Sequence, residues 1–219
     1  NEKFVRILIV VSFIFALYFF YLLPKQTFIV IAPLTILSLL YILQIWKIPP
    51  LRSIPFLKIF VIVVVWGGMA VFLPHSFVKD LENQPLLSNS ICLAVGIALY
   101  VFAETLPFDV RDMREDKYQK IKTLPHKIGF MKSKYLSVIL FVASFLFILL
   151  SYSMGLGSIL LDISFALSVI YSIIWVCAIK ENRGDLFYSL GVESSLIIPF
   201  VSFSTLNYLF TSVSLIHKF

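Results

Sequence analysis

The sequence has few charged residues for its length. Only 14% of the 219 residues are Asp, Glu, Lys or Arg, while 60% are hydrophobic. Soluble domains average about a quarter charged residues, since their surface must be hydrated. This shortage excludes a soluble globular domain, a disordered chain and a protein that reads nucleic acid. The composition instead predicts an integral membrane protein, and its excess of basic over acidic residues suits anionic membrane lipids.

Cysteine and histidine are also scarce. The two cysteines, Cys92 and Cys177, lie inside apolar runs, and neither has a second cysteine or a histidine at ligand spacing. The three histidines are scattered along the chain. The pattern gives no support to a zinc site or a disulfide and favours packing roles for both thiols.

Long apolar runs dominate the chain. A helix needs roughly 17 to 25 apolar residues to cross the hydrocarbon core of a bilayer, and seven runs meet this length. They are Phe4–Leu23, Thr27–Trp46, Phe56–Leu73, Leu86–Phe108, Tyr135–Tyr152, Ser158–Ile179 and Phe187–Phe210. The sequence therefore predicts an all-α, polytopic transmembrane helical bundle of seven spans, forming one domain over residues 1–219. Pro33 and Pro199 fall inside spans and are expected to kink them.

The basic residues predict the orientation of these spans. All of the 18 Lys and Arg residues fall on one side of the membrane except Lys25, Lys79 and Lys218. By the positive-inside rule the richer side is cytoplasmic. A site on that side is expected to face the cytoplasm, as in a protein of the bacterial inner membrane.

Three of the six aspartates fall in one loop on the predicted cytoplasmic side. Asp109, Asp112 and Asp116 are spaced i, i+3 and i+7, which places all three on one face if the preceding helix continues. Like charges on one face repel each other, and Mg²⁺, which prefers oxygen ligands, would reverse that repulsion. A solvated, salt-bridged helix end is the alternative that the spacing leaves open.

Lysines follow this acidic face. They are Lys117, Lys120, Lys122 and Lys127. A carboxylate face beside ammonium groups fits a diphosphate held between metal and lysine. A patch that binds anionic lipid is the alternative interpretation.

The combined pattern resembles a known family. The run Asp109-x-x-Asp112-x-x-x-Asp116, followed by Ile121-Lys122-Thr123-Leu124-Pro125 and Gly129, resembles the second aspartate motif of the UbiA family of intramembrane prenyltransferases. The segment Pro49–Lys58 is similar to the family's proline- and basic-rich loop. Phe187-Tyr188 and Gly191-Val192-Glu193 resemble a later aromatic and Asp-Gly segment, with Glu193 and Ser194 in place of the Asp-Gly pair.

The resemblance implies that the complete fold has more helices than this sequence contains. Family members have nine helices and two aspartate motifs that face each other across a cavity, so the seven spans would correspond to helices three to nine. The first two helices and the first motif, Asn-x-x-x-Asp-x-x-x-Asp, are then expected upstream of Asn1, and the chain by itself is expected to be inactive.

The resemblance also implies a reaction and its residues. The reaction is Mg²⁺-dependent transfer of an isoprenyl group from an isoprenyl diphosphate to an aromatic or other lipophilic acceptor, with quinone-type biosynthesis as the expected setting. Asp112 and Asp116 would be the catalytic residues, and together with Asp109 they would bind Mg²⁺. The expected substrate-binding residues are Lys122, Arg52 and Glu193.

Other functions remain open from the sequence. A CDP-alcohol phosphatidyltransferase needs glycine within its aspartate motif, and the stretch from Glu104 to Asp116 has none. A transporter or permease would use Glu104 and Glu193 as relay carboxylates and should carry polar residues along several spans. A non-catalytic member of the family is the third alternative.

Overall fold

The computed structural model describes residues 2–44, 49–54, 56–76, 86–118, 123–155, 158–180 and 183–216. All regular structure in these ranges is helical. The helices are α1 (Glu2–Tyr21), α2 (Lys25–Ile42), α3 (Leu57–His75), α4 (Leu86–Arg111), α5 (Met113–Tyr118), α6 (Leu124–Ile128), α7 (Phe130–Ser153), α8 (Ile159–Ala178), α9 (Asp185–Phe187) and α10 (Ile198–Ile216). The predicted all-α, polytopic transmembrane class is confirmed.

The predicted number of seven spans is not confirmed. Within the described ranges, five helices are long and apolar enough to cross a membrane, and a bent pair of helices raises the number to six. The difference from seven lies in α2, whose apolar part covers only Thr27–Ile42. This helix ends at Ile42, since Leu43 adopts an extended conformation. The predicted end of the span, Trp46, lies outside the described residues.

The last span is broken near its start. Helix α9 leads into a π turn (Tyr188–Val192) and a 3₁₀ turn (Glu193–Leu196), and this stretch meets α10 at an angle of 48°. We call Asp185–Leu196 the broken segment. Its bend precedes Pro199, which lies in the first turn of α10, where a proline needs no backbone donor. The missing N–H of Pro199 leaves the Ser195 carbonyl, four residues earlier, without its helical donor. The bend therefore lies where a kink caused by Pro199 is expected.

Helices α4 and α7 pack closely through small residues. The Ser137 hydroxyl donates to the Ala103 carbonyl at 2.8 Å, and the Ser144 hydroxyl donates to the Gly96 carbonyl at 2.7 Å. In hydrocarbon, small residues let two backbones approach, and hydroxyl-to-carbonyl bonds join the helices. The described serines of this interface therefore bond to backbone carbonyls in helix packing, which differs from the polar pathway that a transporter would need.

Gly96 makes this approach possible. A methyl group there would lie 2.8 Å from Ile148 Cγ1 and 3.2 Å from the Ser144 carbonyl oxygen. We expect Gly96→Ala to lower the free energy of unfolding by about 1–3 kcal/mol through overpacking. Gly67→Ala is a matched control, because its methyl group would be no closer than 3.4 Å to Ala98. Thermal unfolding in detergent measures both, and equal midpoints would contradict the close approach.

The core lies where α4, α7, α8 and the broken segment meet. Its buried members are Tyr100, Ala103, Phe141, Val169, Val176, Ile179, Tyr188 and Val192. Helix α1 differs, because each of its described side chains is exposed. The broken segment is thus part of the packed core, and it lies against the same helix that carries the first of the three aspartates.

Candidate functional site

The three aspartates lie where α4 ends and α5 begins. Two backbone hydrogen bonds, from Asp112 N–H to the Phe108 carbonyl and from Asp116 N–H to the Asp112 carbonyl, both 2.9 Å long, keep helical spacing across the turn. Asp109 and Asp116 are buried, with 2% and 7% of their surface exposed, whereas the Asp112 side chain is 32% exposed. We call this region, together with the start of α3, the aspartate end of the bundle.

A lysine that the sequence did not single out pairs with the first aspartate. Lys58 Nζ lies 2.8 Å from Asp109 Oδ1. Lys58 belongs to the first turn of α3, which follows Phe56 at φ 66°, a left-handed conformation that a bulky residue rarely adopts. The Lys127 ammonium lies 4.4 Å from the centre of the Phe56 ring. Only the general resemblance of the Pro49–Lys58 loop pointed to this region.

Two carboxylate oxygens at the aspartate end have unused acceptor capacity. Asp109 Oδ2 and Asp116 Oδ2 are buried without a hydrogen-bond partner among the described residues. A buried acceptor left unpaired costs free energy, and a hard divalent cation is a ligand that such oxygens fit. No group of three or more His, Cys, Asp or Glu residues in the described ranges is arranged to hold a metal ion by itself. A cation here would therefore share its coordination with substrate oxygens or water, as Mg²⁺ commonly does.

The electrostatics of Asp116 follow from its burial. Desolvation raises the pKa of the Asp116 carboxyl above its ordinary value, and the neighbouring carboxylates of Asp112 and Glu115 act in the same direction. The charge of Lys58 and the nearby His126 act in the opposite direction. A cation bound at this carboxylate would relieve the same repulsion.

Asp112 is held by an arginine that lies against two aromatic rings. Arg111 donates from Nε to Asp112 Oδ1 at 2.7 Å and from Nη2 to Oδ2 at 3.3 Å. The guanidinium carbon lies 5.2 Å from the centre of the Phe108 ring and 5.5 Å from that of Tyr188. Both oxygens of Asp112 are thus engaged, and Tyr188 belongs to the broken segment.

Of the two basic residues predicted to bind the diphosphate, only Arg52 lies within the described residues. Arg52 lies in a small recess with Lys58 and Asp109, so the structure brings it to the aspartate end. Lys122 lies outside the described residues. The adjoining residue Thr123 is the N-cap of α6, where its hydroxyl lies 2.8 Å from His126 Nδ1.

Glu104 and Glu193, the two glutamates that the sequence places within apolar spans, lie in different environments. Glu193 is exposed on the broken segment, and it lines neither the recess at the aspartate end nor the apolar cavity described below. Glu104, in contrast, is only 4% exposed inside α4. It is bonded to serines from α8 and from the broken segment.

An apolar cavity of about 450 Å³ lies between α2, α3 and α4. Its lining residues are Val30, Pro33, Leu34, Val63, Val64, Gly67, Gly68, Phe72, Ile91, Ala94, Val95 and Ala98. From α3 it receives Val63 and Gly67, which share a helical face with Ile59 of the recess because the three are spaced i, i+4 and i+8. The recess lined by Arg52, Lys58 and Asp109 and the apolar cavity therefore share one face of α3.

These features define an all-α integral membrane protein with buried carboxylates at one end of its bundle. The chain belongs to the UbiA prenyltransferase family, whose model matches residues 1–190. The family prediction is thus confirmed, and the matched part includes the whole aspartate end. No curated protein and no solved structure matches the chain.

Proposed function

We propose that this protein is a Mg²⁺-dependent intramembrane prenyltransferase that moves an isoprenyl group from an isoprenyl diphosphate to an aromatic or other lipophilic acceptor, as in quinone-type biosynthesis. One observation carries the proposal: a charged recess and an apolar cavity follow the same face of α3. An isoprenyl diphosphate has the same division between a charged head and an apolar chain. Membership of the UbiA prenyltransferase family supports the reaction class.

The spacing along α3 suits such a substrate. Val63 follows Lys58 by five residues, so the apolar lining begins about 7.5 Å further along the helix axis. A diphosphate beside Lys58 and Arg52 would leave its first isoprene units at this level. The apolar walls would exclude water from a reacting allylic carbon.

We assign two roles to the side chains at the aspartate end, metal binding and stabilisation of the diphosphate charge. Asp109, Asp112 and Asp116 are proposed to hold Mg²⁺, with Asp112 shared with Arg111. Bound Mg²⁺ would neutralise negative charge on the leaving diphosphate. The ammonium of Lys58 and the guanidinium of Arg52 would stabilise the same charge from the other side of the recess, and Lys122 is proposed to join them. The charged part of the reaction is proposed to take place at the cytoplasmic surface, the side that the positive-inside rule predicts for these residues.

The test is a transfer assay with the natural gene product in membrane vesicles. The donors are geranyl, farnesyl and geranylgeranyl diphosphate, and the acceptors are aromatic quinone precursors, glycerol phosphate lipids, tetrapyrroles and sugar phosphates. We expect acceptor-dependent release of diphosphate that stops when EDTA removes divalent cations and returns when Mg²⁺ is added. The reason is that the buried aspartate oxygens need a cation before they can hold a diphosphate.

The outcomes separate the alternatives. Release that is unaffected by EDTA would contradict the magnesium site. Binding of the donor without any release, across all acceptors, would support a non-catalytic member of the family. Labelling of Glu115→Cys, in a chain with Cys92 and Cys177 replaced by serine, from each side of oriented vesicles checks the cytoplasmic placement. Reagent access only from the opposite side would contradict it.

A further inference from the structure

A buried polar cluster joins the broken segment to the bundle. Glu104 Oε1 accepts hydrogen bonds from the hydroxyl of Ser172, at 3.0 Å, and from the hydroxyl of Ser195. All three residues are almost fully buried. They come from α4, α8 and the broken segment respectively, so one carboxyl oxygen of α4 connects that helix with two elements whose serines lie 68 and 91 residues further along the chain.

The backbone of the broken segment enters the same cluster. The Ser195 carbonyl accepts from Ser168 Oγ at 2.8 Å and from the Tyr100 hydroxyl at 3.1 Å. A break in a membrane helix frees backbone groups that hydrocarbon cannot satisfy. Here a serine of α8 and a tyrosine of α4 supply the missing donors. Position 195 is therefore fixed through both its side chain and its backbone.

The other end of the broken segment reaches the aspartate end. Tyr188 comes seven residues before Ser195, and its ring centre lies 6.0 Å from that of Phe108 and 5.5 Å from the Arg111 guanidinium. Helix α4 thus contacts the broken segment at two positions along its length. At one position Glu104 bonds to Ser195. At the other Arg111, which also holds Asp112, lies against Tyr188.

We propose that Glu104 is a positioning residue for the transfer reaction: by holding Ser195 it fixes the broken segment, and through Tyr188 it fixes Arg111 against Asp112. The inference rests on the proposed function of the aspartate end. Glu104 acts as a hydrogen-bond acceptor, because both hydroxyls donate to the same oxygen and neither described ion pair includes Glu104.

Four variants separate acceptance of hydrogen bonds from charge and from general packing. Glu104→Gln keeps an acceptor oxygen in place and removes the charge, whereas Glu104→Leu removes the acceptor. Ser195→Ala removes one donor only and serves if the leucine variant fails to fold. Ser202→Ala is the matched control, since its hydroxyl bonds within α10, to the Ile198 carbonyl.

Trp175 provides a readout that does not depend on activity. Its ring centre lies 4.9 Å from that of Phe187, and a methyl group at Gly191 would lie 2.3 Å from the indole. The broken segment therefore packs directly on Trp175. Replacing Trp46 and Trp66 by phenylalanine leaves this indole as the reporter, and its emission maximum and iodide quenching show whether the segment has moved.

We expect Glu104→Leu and Ser195→Ala to shift Trp175 emission and to lower kcat/KM for the diphosphate donor about 10- to 100-fold, the range for residues that orient a ligand-binding side chain. Glu104→Gln and Ser202→Ala should retain both properties. Unchanged Trp175 emission in Glu104→Leu and Ser195→Ala would overturn the proposal. So would shifted emission with full activity, or a glutamine variant as damaged as the leucine one. A wild-type protein that neither binds nor turns over any donor would overturn the proposed function itself, and this inference with it.

Discussion

Replacing Asp116 by asparagine is expected to reduce prenyl transfer by a factor on the order of 10² to 10³, the usual loss when one charge-stabilising group is removed from a reaction centre. Asp116 is buried, and one of its carboxyl oxygens has no hydrogen-bond partner among the described residues. The amide keeps the shape of the side chain but binds a divalent cation less strongly. The initial rate at saturating Mg²⁺, measured in vesicles, checks the expectation, and the same loss is expected for Asp112→Asn.

A carboxylate on the same short helix provides the control. Glu115 precedes Asp116 in α5 and its side chain is exposed, so Glu115→Gln changes the charge equally without altering the buried face. We expect it to retain at least half of the activity. Full activity in Asp116→Asn and Asp112→Asn, in protein that is folded and inserted, would show that these aspartates do not bind the metal.

Lys58→Met is expected to cause the largest loss of stability among the single changes at the aspartate end. The substitution leaves the Asp109 carboxylate buried without its ammonium partner, and breaking such a pair from one side costs about 3–5 kcal/mol. The lower end of this range applies, because 24% of the Lys58 side chain is exposed and solvent reduces the penalty. The midpoint of thermal unfolding in detergent measures the effect.

Two further variants test the cause. Lys58→Met combined with Asp109→Asn removes both charges, and we expect it to recover most of the lost stability. Lys134→Met removes an ammonium that donates to the uncharged carbonyls of Cys177 and Ile179, so a loss of only about 1 kcal/mol is expected. A double variant less stable than Lys58→Met alone would show that the buried charge is not the source of the penalty.

Much of the fold could be predicted because hydrocarbon imposes a simple rule on sequence. Apolar runs of spanning length gave the helical class. The rule does not fix where a helix stops, which depends on local conformation. Helix α2 ends at Ile42 where Leu43 becomes extended, and no proline or glycine at that point signals it. The last span bends just before Pro199, which cannot donate to the Ser195 carbonyl. The sequence could predict this bend, but not the donors from α4 and α8 that satisfy that carbonyl.

The part of the candidate site that could be predicted consists of residues close together in the sequence. Asp109, Asp112 and Asp116 lie within about two helical turns of sequence, and their helical spacing persists across the junction of α4 and α5. Lys58 was not predicted because it pairs with a residue 51 positions away, which no spacing rule reaches. Glu104 was noticed as an intramembrane carboxylate, but its serine partners lie 68 and 91 positions further on. Tertiary contacts of this kind become visible only in the structure.

The two serine bonds between α4 and α7 restrict how the protein can move. On both helices the bonding positions are seven residues apart, Gly96 and Ala103 on one and Ser137 and Ser144 on the other. A slide of one helical turn, about 5.4 Å, would break both bonds without forming either again. Any shift of α4 along α7 therefore costs both hydrogen bonds. We expect α4, which carries the start of the aspartate end, to keep its position against α7. If the proposed substrate requires a wider cavity, we expect the movement in α2 and α3, which form the opposite wall of the apolar cavity.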